Sequence, residues 1–97
     1  MKILIVEDEI GIANFLQQGL EEEGYTVLVA NDGKTGLDLA LSQKVNIILL
    51  DWILPKMTGI EVCKSIRKTD TATPIIFLTA KDTVQETIEG LKAGAND

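Results

Sequence analysis

Histidine is absent from the chain, and cysteine occurs once, as Cys63. A Ser-His-Asp triad is therefore excluded within this chain, and so is a zinc site built from the usual nitrogen and sulfur ligands. One cysteine cannot close an internal disulfide. Nothing beside Cys63 would activate its thiol, so it reads as a small core hydrophobe. Positive charge is in the minority, 9 Lys and Arg against 15 Asp and Glu, for a net charge of −6. A surface this acidic repels phosphate backbones and anionic lipid, so direct binding of nucleic acid or membrane by this segment is not expected. Long apolar runs are also missing. Runs such as Ile47–Leu50 fall far short of the ~20 residues of a membrane span. Ile3–Val6, after Met1-Lys2, is too short for the apolar core of a secretion signal. The expected setting is a reducing cytoplasm, and any metal must be a hard ion held by oxygens.

What is present is the composition of one globular domain, 45% hydrophobic and 25% charged over 97 residues, enough for a modest core. Val45–Asp51 is its most informative stretch. Ile47 to Leu50 are apolar without a break and end at the carboxylate of Asp51. An apolar run without alternation predicts a central parallel strand covered on both faces. A charge just past such a strand lies where open α/β sheets keep their ligand sites.

The rest of the chain repeats that grammar. Ile3–Val6 is a second buried strand, ended by Glu7, Asp8 and Glu9. Ile10–Glu23 has apolar positions at Ile12, Phe15, Leu16, Gly19 and Leu20, the stripe of an amphipathic helix, with Gly24 as its stop. Tyr25–Ala30 is a third strand, and Asn31-Asp32-Gly33 has turn chemistry. Lys34–Gln43 reads as a second helix. After Asp51, Pro55 marks a loop, since proline cannot continue a central ladder. A third helix carries Ile60, Val62, Cys63 and Ile66 to about Lys68, with Thr58 and Gly59 as its start. Ile75–Leu78 is the fourth strand. A last helix is expected from Asp82 or Thr83, with Val84, Ile88 and Leu91 inside and Gly94 at its end. Strand and helix thus alternate four times. This predicts an α/β fold with right-handed crossovers in a single parallel sheet; with strands 1, 3 and 4 as neighbours, the sheet is doubly wound in the order 2-1-3-4.

In that order the strand ends bring Glu7, Asp8, Asp51, Thr79 and Ala80 to one edge, at the switch point between the first and third strands. Carboxylates crowded in one crevice raise their proton affinity unless a cation intervenes. Mg²⁺ suits a few carboxylates plus water and a phosphate oxygen. The same ion would leave Asp51 usable as a nucleophile towards phosphorus. The Thr79 hydroxyl and the backbone N–H groups of Trp52 and Ala80 could hold phosphoryl oxygens. Taken singly, each residue has a plainer reading. Glu9 is a helix-start or loop charge, and Asp8 serves equally well as either cap or ligand. Thr79 is a strand-end hydroxyl, Trp52 is packing or loop cover, and Glu21–Glu23 is a solvated face.

The segments V-E-D-E, L-L-D-W-I-L-P-K-M-T-G, F-L-T-A and G-L-K-A-G-A-N-D resemble the receiver domains of bacterial two-component response regulators. The resemblance covers residues 1–97 as one domain. It implies a flavodoxin-like (CheY-like) fold, in which Asp51 accepts a phosphoryl group from a sensor histidine kinase or a small phosphodonor. It further implies that Asp8 binds Mg²⁺ directly, Glu7 through water and Ile53 through its backbone carbonyl. Thr79 would be the hydroxyl that moves onto the phosphoryl group. Ile53 and Lys81 are similar to the transcriptional branch of the family, which carries a DNA-binding output domain.

One departure is large. The family has five strand–helix units, and this sequence stops before the fifth strand and fifth helix. That segment holds a Lys followed by Pro, and an aromatic switch residue; Lys81 and Lys92 do not match the Lys position. The expectation is a longer natural protein, or, for these residues alone, a dimer or strand exchange covering the apolar edge of the fourth strand. Two other functions stand beside the phosphoacceptor. One is a receiver-like interaction module that takes no phosphate. The other is a phosphatase with an aspartyl nucleophile, which usually has a second acid two residues on; here that position is Ile53.

Overall fold

The computed structural model describes residues 1–78 and Gly94. Its elements run β1 (Lys2–Val6), α1 (Ile10–Glu22), β2 (Thr26–Ala30), α2 (Gly33–Ser42), β3 (Ile47–Leu50), α3 (Gly59–Arg67) and β4 (Ile75–Phe77). The strands form one parallel sheet, as the alternation of short apolar runs with amphipathic stretches predicts, and its order is the expected β2-β1-β3-β4. The fourth strand is shorter than expected, although the Leu78 N–H still donates to the Leu50 carbonyl at 2.9 Å. The expected last helix, Asp82 or Thr83 through Leu91, lies outside the described residues.

The two sheet faces build two cores. On one, Leu4, Val6, Ile48, Leu50 and Ile75 meet Val62, Cys63 and Ile66 of α3, with Leu37 and Ala40 of α2 beside them. On the other, Ile3, Ile5 and Val27 meet Leu16 and Leu20 of α1. Full burial of a Leu or Ile side chain contributes ~1.5–3 kcal/mol, so these layers dominate the stability. β3 departs from the expectation of two covered faces. Ile48 and Leu50 are buried, whereas Ile47 and Leu49 are only half-buried. Their face is the one α1 lies on, and α1 packs against β1 and β2.

Helix α1 also turns a different face inward than the stripe suggests. Ala13 is buried, and Leu16, Gln17 and Leu20 are half-buried, while Ile12 and Phe15 are exposed, Phe15 at 78%. The inward line Ala13-Leu16-Gln17-Leu20 still has helical spacing. The buried Ala13 heads that line, and Ile12 and Phe15 of the expected stripe are left on the exposed flank.

Helix ends follow local chemistry. Thr58 caps α3: its hydroxyl accepts the Glu61 N–H at 3.2 Å and donates to the Glu61 carboxylate at 3.1 Å. Asp32 caps α2 by accepting the Thr35 N–H at 2.7 Å. Glu9 occupies the cap position of α1, but its side chain makes no cap bond. Gly24, at φ 93°, ends that helix region, its N–H donating to the Glu21 carbonyl, because a left-handed residue there is easiest for glycine. At the far end of α3, Arg67 donates from Nε to the Gly94 carbonyl at 2.8 Å and from Nη1 to the Asp70 carbonyl at 3.0 Å.

Candidate functional site

The site begins with strand register. β1 and β3 are neighbours, and Val6 pairs with Leu50. The next residues on each strand, Glu7 and Asp51, therefore leave the sheet at the same level. The Asp51 N–H still donates to the Val6 carbonyl at 2.9 Å, and the Glu7 N–H donates to Ala30 on β2 at 3.0 Å. The backbone of both acids is thus fixed by the last rungs of the ladder before the chain turns into loops.

One carboxylate oxygen from each of Glu7, Asp8 and Asp51 lies within 4.8 Å of the other two. Glu7 and Asp51 are buried, at 4% and 7% exposure, while Asp8 is open to solvent. Burial pushes the Glu7 carboxyl up to about 7. The Glu9 N–H, which donates to Glu7 Oε2 at 3.1 Å, works against that rise, and the neighbouring Asp51 and Asp8 carboxyls add to it. Such a group still carries a proton part of the time near neutral pH, and a bound cation would favour its ionised form. The donor set fits a hard divalent ion: all oxygen, two buried carboxylates and one exposed carboxylate that leaves room for water. Mg²⁺ at this point would be held by Asp8 and Asp51, with Glu7 beside them. When bound it would neutralise charge between Asp51 and an incoming phosphoryl group.

The loop after Asp51 is held tightly. Leu54 turns inward to the core at 7% exposure. The Met57 N–H donates to the Pro55 carbonyl at 2.8 Å around Lys56, which has φ 70°; this is a three-residue turn in a backbone region that non-glycine residues seldom occupy. Gly59 then brings the start of α3 against the strand end. Its N–H donates to the Trp52 carbonyl at 3.0 Å, and a Cβ at this position would overlap the Asp51 carbonyl. Gly59 is therefore more than a helix-start residue. Trp52 packs its ring on Phe77 of β4, with centroids 4.9 Å apart and planes at 55°, which is the packing role expected of it. The Ile53 side chain is 64% exposed. Thr79, Ala80 and Lys81 lie outside the described residues.

Sequence reasoning missed the loop between β2 and α2. Asn31 reads there only as turn chemistry, yet its Nδ2 donates to the Glu7 carbonyl at 3.0 Å. Gly33 donates its N–H to the Pro55 carbonyl at 3.2 Å. Asp32 pairs with Lys56 at 3.7 Å. The signal was an Asn-Asp-Gly stretch directly after a strand and before a helix. Its contact partners, 24 residues away in the case of Asn31 and Glu7, leave no local trace.

Comparison with known proteins agrees with this geometry. A sequence-family model described as the response regulator receiver domain matches residues 3–97. Over 95 residues the chain is 50% identical to the uncharacterized transcriptional regulatory protein YkoG of Bacillus subtilis, covering 98% of this chain and 42% of that protein. It is 48% identical to the response regulator ArlR of Staphylococcus epidermidis, over 98% of this chain and 43% of that protein. The chain thus spans less than half the length of the curated relatives it matches. Among solved structures, the receiver domain of the Francisella response regulator 1452 superposes with a TM-score of 0.91 at 40% identity, covering 99% of this chain and 79% of that one. The receiver domain of the sensor histidine kinase PA1611 of Pseudomonas aeruginosa, solved with a magnesium ion in its active site cleft, superposes with a TM-score of 0.89 at 33% identity, covering 99% of this chain and 80% of that one. With Glu7, Asp8 and Asp51 gathered at the switch point of a 2-1-3-4 parallel sheet, the chain belongs to the response regulator receiver domain family.

Proposed function

We propose that Asp51 is the phosphoacceptor of a two-component signalling module, and that it works with Mg²⁺ held by Asp8, Asp51 and Glu7. The observation that carries this reading is the convergence of the three carboxylates within 4.8 Å at the end of neighbouring strands. A carboxylate oxygen of Asp51 attacks the phosphorus of a phosphohistidine on a sensor kinase. The new O–P bond forms as the N–P bond breaks, and the imidazole nitrogen leaves with the electron pair and takes up a proton. The Ile53 carbonyl would be a further oxygen for the metal, and Thr79 and the N–H groups of Trp52 and Ala80 would receive the phosphoryl oxygens. The magnesium ion in the cleft of the PA1611 receiver supports this choice of metal.

The chain turns over no free substrate on this reading. It assists its own phosphorylation and dephosphorylation, and the phosphoryl group shifts a two-state equilibrium of the surface that an output domain reads. The transcriptional regulators among its relatives support a DNA-binding output. No helix among the described residues is long and apolar enough to cross a membrane, which accords with action in the cytoplasm.

The test is phosphotransfer. The protein expressed from its full reading frame is mixed with an autophosphorylated histidine kinase, with Mg²⁺ or with excess chelator. Label should pass to the protein only with Mg²⁺ and not to Asp51→Asn. Transfer that persists in Asp51→Asn would remove Asp51 from the role. Absence of transfer from any kinase or small acyl phosphate would favour an interaction module.

A further inference from the structure

We propose that Asn31 and Gly33 are positioning residues for the metal site, joining the two loops that carry its carboxylates. The inference rests on the assignment of Glu7, Asp8 and Asp51 as the Mg²⁺ site. The sheet order puts β1 between β2 and β3, so the loop leaving β2 has to cross the end of β1 to reach the loop leaving β3. It makes contact on both sides. Asn31 Nδ2 donates to the Glu7 carbonyl at 3.0 Å, on the segment that bears Glu7 and Asp8. Gly33 N–H donates at 3.2 Å to the Pro55 carbonyl, on the segment that follows Asp51. The same carbonyl also receives the Met57 N–H at 2.8 Å, so a single oxygen closes the turn and docks it on the first residue of α2.

The approach at Gly33 is close enough to be exclusive. The residue is buried, and a Cβ there would overlap the backbone of Met57. Any other residue would push the turn away from α2. Asp32, between the two contacts, pairs with Lys56 at 3.7 Å. That ion pair is exposed on the lysine side and contributes little by itself. Neither Asn31 nor Gly33 offers a carboxylate to the metal. Their effect is on distance: Mg²⁺ requires near-octahedral oxygens at short range, and its affinity falls when the ligand-bearing loops drift. Loss of an outer-shell partner costs ~10–100-fold in metal affinity.

The experiment measures the Mg²⁺ dissociation constant by calorimetry, and the urea midpoint in metal-free buffer, for the protein expressed from its full reading frame. The variants are Asn31→Ala, Gly33→Ala and Val27→Ala. Val27 is buried on the opposite face of the sheet, under α1, so Val27→Ala lowers the midpoint without touching either loop. Asn31→Ala is expected to weaken Mg²⁺ binding by about tenfold, and Gly33→Ala by more, while Val27→Ala binds Mg²⁺ as the wild type does. If Gly33→Ala fails to fold, Asn31→Ala decides. Wild-type affinity in Asn31→Ala would overturn the proposal, as would an equal loss of affinity in Val27→Ala. A wild-type protein that binds no Mg²⁺ would instead overturn the metal site itself, and this inference with it.

Discussion

The backbone N–H of Asp51 donates to the carbonyl of Val6 at 2.9 Å. This bond is the last rung between β1 and β3, and it sits directly beneath the acidic cluster. The ladder therefore sets the separation of the Glu7 and Asp51 backbones from which the two carboxylates project. Parallel pairing of two short apolar strands becomes an acidic cluster because each strand is followed at once by an acid.

Asp8 is the most separable member of that cluster. It is exposed, whereas Glu7 and Asp51 are buried, so Asp8→Asn should leave the unfolding free energy within about 0.5 kcal/mol of wild type. Mg²⁺ affinity should fall by more than the ~10–100-fold cost of losing an outer-shell partner. Calorimetric titration beside a denaturation curve checks both halves.

Glu7 gives the metal-free protein an unusual pH dependence. Its carboxyl stands at about 7 in the fold, raised from an ordinary value of 4.5, chiefly by burial. The folded state therefore holds a proton that the unfolded chain has released between those values. That contribution to stability is fully present below pH 4.5 and is lost as pH rises through about 7. Metal-free protein should thus lose stability from pH 5 to pH 8 on this group's account. Mg²⁺ displaces the proton and should bind more tightly at pH 8 than at pH 6. Urea midpoints across the range, with and without Mg²⁺, test this, and Glu7→Gln should flatten the metal-free slope.

Much of this was legible in the sequence. The four strands and the place of Glu7, Asp8 and Asp51 at strand ends follow from apolar runs that end in acids, because strand burial and strand-end position are both written locally; the clustering then needs only the order 2-1-3-4 that the structure has. The face that α1 turns inward was not, since Ile12 and Phe15 fit the helical period as well as Ala13 and Gln17 do. Only contact with the sheet decides between them. The span of Asn31 to Glu7 and the docking of Gly33 on the Pro55 turn were hidden for a related reason. They are long-range contacts made by residues whose local preference, a turn, is satisfied either way.

Gly36 offers a test of packing separate from the site. A Cβ there would come within 2.7 and 2.8 Å of the two methyl carbons of Val6, so α2 lies against β1 only because this position is bare. Although alanine is the better helix former, Gly36→Ala should destabilise the fold by about 1–3 kcal/mol, the usual range for overpacking. Val6→Ala in the same chain should recover part of that loss if the clash is the cause. A double-mutant cycle in urea gives the coupling.

Cys63 is fully buried beside Val62 and Ile66. Burial pushes its thiol up, with the charge of Arg67 opposing. Alkylation in native buffer should run roughly a thousandfold slower than in the unfolded chain, in line with the small fraction unfolded. The rate should climb with urea along the same curve as global unfolding. Rapid native labelling would place Cys63 outside the core.

The most direct measurement locates the phosphoryl group. Protein expressed from its full reading frame is treated with a small acyl phosphate and Mg²⁺, reduced with borohydride to convert an aspartyl phosphate to homoserine, digested and sequenced by mass spectrometry. Homoserine at position 51 is expected, dependent on Mg²⁺ and absent from Asp8→Asn. Homoserine at another aspartate with residue 51 unmodified, or modification at Asp51 that is indifferent to Mg²⁺, would contradict a metal-assisted phosphoacceptor built on Asp51.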